Sequence, residues 1–102
     1  MKGKKMLLIV ALVCLITFVG TAYAVTYITI ASGGIGGTYY PLGGVLAEVL
    51  TKAGIDVKAT SRATSASREN CRLVASGRAH IGMSMGSTLY QAYTGTEAFK
   101  DD

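Results

Sequence analysis

A glycine-rich run between a β-forming stretch and a helical pattern constrains this chain more than any other feature. Gly33-Gly34-Ile35-Gly36-Gly37-Thr38 cannot be regular secondary structure, so the chain passes there through a loop. Before it, Tyr27-Ile28-Thr29-Ile30-Ala31 is β-branched and aromatic and predicts a strand. After it, Leu42, Val45, Leu46, Val49 and Leu50 have the spacing of the apolar stripe of an amphipathic helix. Pro41 suits the first turn, where no N–H is needed, and Lys52 and Gly54 are stop signals. Glycines let backbone come close to a ligand, and the free N–H groups of a helix start attract an anion.

The alternation continues. Val57-Lys58-Ala59-Thr60 predicts a second strand and Thr60–Ser67 a polar loop. Ser65 or Ser67 is expected to cap the next helix, whose inner face carries Ala66, Asn70, Leu73 and Val74 and which ends at Gly77. Ile81-Gly82-Met83-Ser84-Met85 predicts a third strand. Ser87 is expected to cap a last short helix with Leu89, Ala92 and Tyr93, closed by Gly95. The tail Glu97–Asp102 is polar and without pattern.

The resulting order, β-α-β-α-β-α, argues for an α/β fold with a parallel sheet and right-handed crossovers. In such sheets ligands bind at the carboxyl ends of the strands. Ser32–Tyr40, Thr60–Asn70 and Ser84–Thr88 lie at that edge, and all are rich in Ser, Thr, Gly or amide groups. The ligand-binding candidates are therefore Gly36, Gly37, Thr38 and Tyr39, supported by Ser65, Ser67 and Asn70, with Ser84 and Ser87 from the third loop. Tyr39 or Tyr40 can wall a small ligand, or both can pack on the sheet.

The N-terminus is a different kind of segment. Lys2, Lys4 and Lys5 precede the apolar run Met6–Val19, and Ala22-Tyr23-Ala24 follows. This reads as a secretory signal peptide over residues 1–24 and predicts export to the periplasm. An uncleaved membrane anchor is the competing reading, although the run is short for a span. Cys14 lies too early, behind Val13, for a lipoprotein signal. A chain starting at Val25 keeps 78 of the 102 residues, room for one small domain. Its seven basic residues against six acidic ones leave +1, so the formal +4 of the whole chain is largely the signal and gives no ground for nucleic-acid binding. Only Cys71 remains, which excludes an internal disulfide and reads as a half-buried structural thiol.

Competing chemistries fail on spacing. A dinucleotide fingerprint needs Gly three residues after Gly36, where Tyr39 stands, and a P-loop needs Gly-Lys where Gly37-Thr38 stands. His80, the single histidine, falls at the start of a strand and reads as a surface or capping residue. Glu48 and Asp56 sit at the wrong ends of their elements for an acid/base pair. No cluster has metal-ligand spacing, and no cofactor is expected. The pattern favours binding over catalysis.

Ile28–Gly44, with its Gly-Gly-Thr-Tyr-Tyr-Pro-Leu-Gly core, resembles the opening of the solute-binding proteins of TAXI-type TRAP transporters. So do Lys52–Val57, Glu69–Leu73 and Tyr90–Gly95, in the same order and spacing. The resemblance covers nearly all of Val25–Phe99. It implies a type II periplasmic-binding fold of two α/β lobes, a small organic anion such as a dicarboxylate or glutamate-like amino acid, and delivery to TRAP membrane subunits. Members are several-fold longer, so residues 25–102 are expected to be a partial first lobe. Where the family often has Gln-Ser-Asp after the third strand, this chain has Met85-Gly86-Ser87. Two other readings stand beside it. One is an exported or membrane-tethered α/β domain with a structural or sensing role and no transport partner. The other is an enzyme on a related two-lobed fold.

Overall fold

The computed structural model describes residues 1–17, 20 and 23–102. Helix α1 (Lys2–Thr17) carries most of the N-terminal apolar run, with its side chains exposed through Leu15. Phe18 and Val19 of that run, and Ala22 of the Ala-x-Ala sequence, lie outside the described residues. Among the described residues no helix is long and apolar enough to cross a membrane.

From Thr26 onward the elements follow the expected alternation: β1 (Thr26–Ala31), α2 (Tyr39–Lys52), β2 (Val57–Arg62), α3 (Ser67–Ala75), β3 (Ile81–Gly82) and α4 (Gly86–Thr94). A 3₁₀ turn, Glu97–Phe99, follows. The sheet is parallel in the order β2-β1-β3. The crossover from β1 to β2 thus runs one way across the sheet and the crossover from β2 to β3 runs back past β1, so the crevice at the carboxyl end of β1 is a topological switch point. Gly77 and Gly95, at φ 72° and 63°, end α3 and α4 in the left-handed conformation that glycine adopts freely.

Helix α2 meets the sheet with a different face from the one its apolar spacing predicts. Gly43 and Ala47 are buried and Leu46 and Leu50 half-buried, whereas Leu42, Val45 and Val49 are exposed. The sheet beneath offers small polar side chains, Ser32 and Ser61, and the helix approaches them with its smallest residues. A Cβ on Gly43 would stand 2.5 Å from Ser61 Oγ and 2.6 Å from Ser32 Cβ. At the far end, Thr51 Oγ1 accepts from the Ala59 N–H at 3.0 Å and fixes the helix's rotation.

The third strand is shorter than the alternation through Met85 predicts. Met83 N–H still donates to Ala31 O at 3.0 Å. Beyond it the chain leaves the ladder, because Met83 O accepts from Asn70 Nδ2 and Met85 N–H donates to Ser67 Oγ. Backbone groups that would have paired with a strand are taken by α3.

The tail is not patternless. Phe99 is buried, and the Arg72 guanidinium lies 4.9 Å from its ring centroid. Arg72 also donates to Asp102 Oδ2 at 2.6 Å and to Ala98 O at 2.7 Å, which clasps the tail to α3. The central core is small: Ala31, Leu73 and Ala79 pack together, beside the buried Ile30. His80 does act as a strand cap: its N–H donates to Thr29 O and its Nδ1 accepts from Thr29 N–H.

Candidate functional site

At the carboxyl edge of the sheet, three loops converge on a cleft of about 370 Å³. Gly33, Gly34, Gly37, Thr38 and Tyr39 come from the loop after β1, Ala66 and Ser67 from the loop after β2, and Met85 from the loop after β3. The first loop is anchored at its base. Ser32 N–H and Oγ both donate to Arg62 O, Ser61 Oγ donates to Ser32 Oγ, and Gly33 O accepts from Thr64 N–H. Its tip folds over as a turn in which Gly37 N–H donates to Gly34 O at 2.8 Å. That bond places Thr38 and Tyr39 at the head of α2. Gly36 is exposed on the turn and does not line the cleft.

The helix starts are open. No side chain caps the first turn of α2, α3 or α4. The hydroxyls expected there are engaged elsewhere: Ser65 Oγ donates to Glu69 Oε2 and Ser67 Oγ accepts from Met85 N–H. Ser87 stands inside the first turn of α4, one residue past the helix start, so it is not the cap. The uncapped first turns leave backbone N–H groups and positive dipole ends facing this edge of the sheet.

Asn70 has a defined place, and it is not on the cleft surface. It is fully buried. Its Nδ2 donates to Ser32 O and to Met83 O, both at 2.7 Å, and its Oδ1 accepts from Thr64 Oγ1 at 2.6 Å. One amide thus ties together the loops after all three strands. Its side chain shapes the cleft by fixing those loops. Ser84 faces away from the cleft, toward α3, where its Oγ lies 3.6 Å from Cys71 Sγ. Ser65, Ser67 and Ser87 line an adjoining groove of about 590 Å³, with Arg68 and Gln91. Of the nine residues expected at the site, Gly37, Thr38, Tyr39 and Ser67 share the cleft, and Ser65 and Ser87 stand in the groove beside it.

Ala66 and Met85, at the lip, carry no sequence signal of a site. Ala66 stands at φ 71°, ψ −143°, a region that residues with a Cβ rarely occupy. Bonds on both sides hold it there: Ala66 N–H donates to Thr64 Oγ1, and Ala66 O accepts from Asn70 N–H. Ala66→Gly is expected to relieve this strain and raise stability by about 1 kcal/mol, net of the entropy glycine adds to the unfolded chain. Chemical denaturation with unchanged slope checks it.

Glu69 secures the approach to α3. Its carboxylate accepts from Ser65 N–H at 2.6 Å and from Ser65 Oγ at 2.9 Å, and these bonds, aided by Arg62 and Arg78, hold it below the usual carboxylate range. A folded pKa below the unfolded one contributes stability that is present above the ordinary carboxylate pKa and lost as pH falls through the folded value. Glu69→Gln should therefore lower the denaturation midpoint at neutral pH. The difference from the parent should close in acid, where both side chains are neutral.

Among the described residues no three His, Cys, Asp or Glu side chains gather into a metal site. The arrangement offers backbone donors, hydroxyls, one aromatic wall and an open cleft, which is chemistry for holding a solute. Comparison with protein families finds the NMT1-like family over residues 30–102. The match begins at the end of β1 and spans the glycine loop, the two later strands and all three helices that bound the cleft. This chain accordingly belongs to the NMT1-like family, a periplasmic solute-binding family.

Proposed function

We propose that this chain is the receptor part of a TAXI-type TRAP transport system that captures a small organic anion outside the cytoplasmic membrane. The observation that carries the reading is the convergence at the switch point. A glycine loop and uncapped helix starts meet in one cleft, where an anion gains from N–H groups and helix dipoles together. The family's solute-binding role supports the same reading and points to binding rather than turnover. The ligand class, a dicarboxylate or glutamate-like anion, comes from the resemblance of Ile28–Gly44 to TAXI receptors.

In this reading residues 1–24 direct export and are removed after Ala24. Residues 25–102 form part of a first lobe, and TRAP membrane subunits receive the solute. The exposed side chains of Leu42, Val45 and Val49 on α2 suit a fold that continues or is covered there.

Gly37 and Thr38 are the diagnostic positions. A Cβ at Gly37 would lie 3.3 Å from Gly34 O, so a branched side chain there both opens the turn and stands in the cleft. Gly37→Val is expected to abolish binding of the anion. Thr38→Val should weaken it by about 1.5–3 kcal/mol, the worth of one charge-assisted hydrogen bond. Arg78→Ala, beyond the far end of α3, should leave affinity unchanged. Calorimetry across a panel of dicarboxylates and amino acids tests this. A damaging Arg78→Ala with a harmless Gly37→Val would place the site elsewhere.

A further inference from the structure

The cleft and the groove beside it share Ala66, Ser67 and Met85, so they adjoin there, with those residues as the waist between them. The two ends differ in chemistry. No charged side chain lines the glycine-loop end, which offers Thr38, Ser67 and backbone. The far end holds Arg68, the one charged side chain lining either part among the described residues, with Ser65, Ser87 and Gln91 around it. The waist is bounded by the Ala66 methyl and the Met85 thioether chain, which are apolar and adaptable. No Asp or Glu side chain lines either part, and the Glu69 carboxylate beside the groove is already taken by the Ser65 N–H and Oγ at 2.6 and 2.9 Å.

We propose that Arg68 anchors a second anionic group, and that the site selects an elongated two-headed acid with an apolar middle over an amino acid. This rests on the solute-binding reading above: one carboxylate sits at the glycine loop, and the proposal adds where the other goes. The guanidinium fork matches a carboxylate in two parallel hydrogen bonds, a match the ammonium of lysine cannot make. Methylene groups between the heads would lie across Ala66 and Met85, where burial of apolar surface adds affinity. Arg68 is exposed and in the first turn of α3, so replacing it leaves the hydrogen bonds that hold the loops untouched.

The test is calorimetry on the full chain with succinate, glutarate, adipate and glutamate, each dicarboxylate paired with the monocarboxylate of the same length. Adipate is expected to bind about tenfold tighter than hexanoate at low salt, the worth of one bidentate pair. Glutamate should bind more weakly than glutarate. Arg68→Gln should remove the advantage of the second carboxylate, so that adipate binds no tighter than hexanoate, and Arg68→Lys should restore only part of it. Equal binding of adipate and hexanoate, or an advantage that survives Arg68→Gln, would overturn the proposal while leaving the glycine-loop site standing. Absence of binding by either class would overturn the organic-anion reading above, and this proposal with it.

Discussion

Asn70→Asp is expected to unfold this chain at neutral pH. The substitution keeps the shape of the side chain and exchanges its NH₂ for a carboxylate oxygen. That oxygen would face Ser32 O and Met83 O, the two carbonyls that Asn70 Nδ2 satisfies at 2.7 Å. Two acceptors lose their donor, and a charge is placed in a site with no solvent exposure. The cost is about 3–5 kcal/mol, comparable to the whole stability of a small domain. Circular dichroism and denaturant titration check it. The pH dependence gives a second handle. Burial against carbonyls pushes the new carboxyl's pKa up, and once protonated it can donate to one of the two acceptors, so part of the stability should return in acid. A variant as stable as the parent at neutral pH would show that the loops are not tied through this amide.

Gly43→Ala is expected to be the second most damaging change, although alanine is the better helix former. The added methyl would meet Ser61 Oγ at 2.5 Å and Ser32 Cβ at 2.6 Å. Ser61 Oγ can rotate only by giving up its hydrogen bond to Ser32 Oγ, and Ser32 Cβ is fixed by a backbone that is itself bonded to Arg62. Helix α2 must lift from the sheet, which costs about 2–3 kcal/mol even after alanine's propensity gain of about 1 kcal/mol. The neighbouring Gly44 makes the control, because a Cβ there meets nothing within 4 Å. Gly44→Ala should be neutral or stabilising by up to about 1 kcal/mol. Opposite signs for two adjacent glycines would locate the helix–sheet contact at Gly43 without further structural data.

These residues also mark what can be read from the sequence. The strand and helix order was legible because each element carries its own period, and the parallel sheet follows from that order. The glycine loop was legible because few other structures tolerate such a run. Rotation of α2 about its axis was not, since the helical spacing of Leu42, Val45 and Val49 does not say that the sheet beneath presents Ser32 and Ser61. The third strand was overextended because alternation through Met85 is a local signal, while the bonds from Asn70 and Ser67 that end the strand come from residues distant in sequence. Asn70 carried a readable hint: an amide on the same helical face as Leu73 must find partners if buried. Its partners, however, are backbone atoms of loops whose positions only the fold supplies. Phe99 was a similar hint, a lone aromatic in a polar tail, and its partner Arg72 lies 27 residues earlier.

The site was legible at the level of loops and only partly at the level of residues. Position after a strand and before a helix places a residue at the carboxyl edge of the sheet, where Gly37, Thr38, Tyr39 and Ser67 share one cleft. It does not fix which way a side chain turns. Ser84 lies at that edge and points to Cys71. Met85, which the chemistry of loops would pass over, lines both the cleft and the groove.

The central claim, that a solute lies in the cleft between the glycine loop and the starts of α3 and α4, is tested most directly by mapping backbone amide resonances during titration with adipate. The account predicts saturable shifts confined to Gly33–Tyr39, Ala66–Arg68 and Met85–Ser87. Amides around the separate cavity between α3 and the tail, lined by Cys71, Ala75, Ala92 and Phe99, should stay in place. Saturable shifts at that second cavity, with the glycine loop silent, would contradict it.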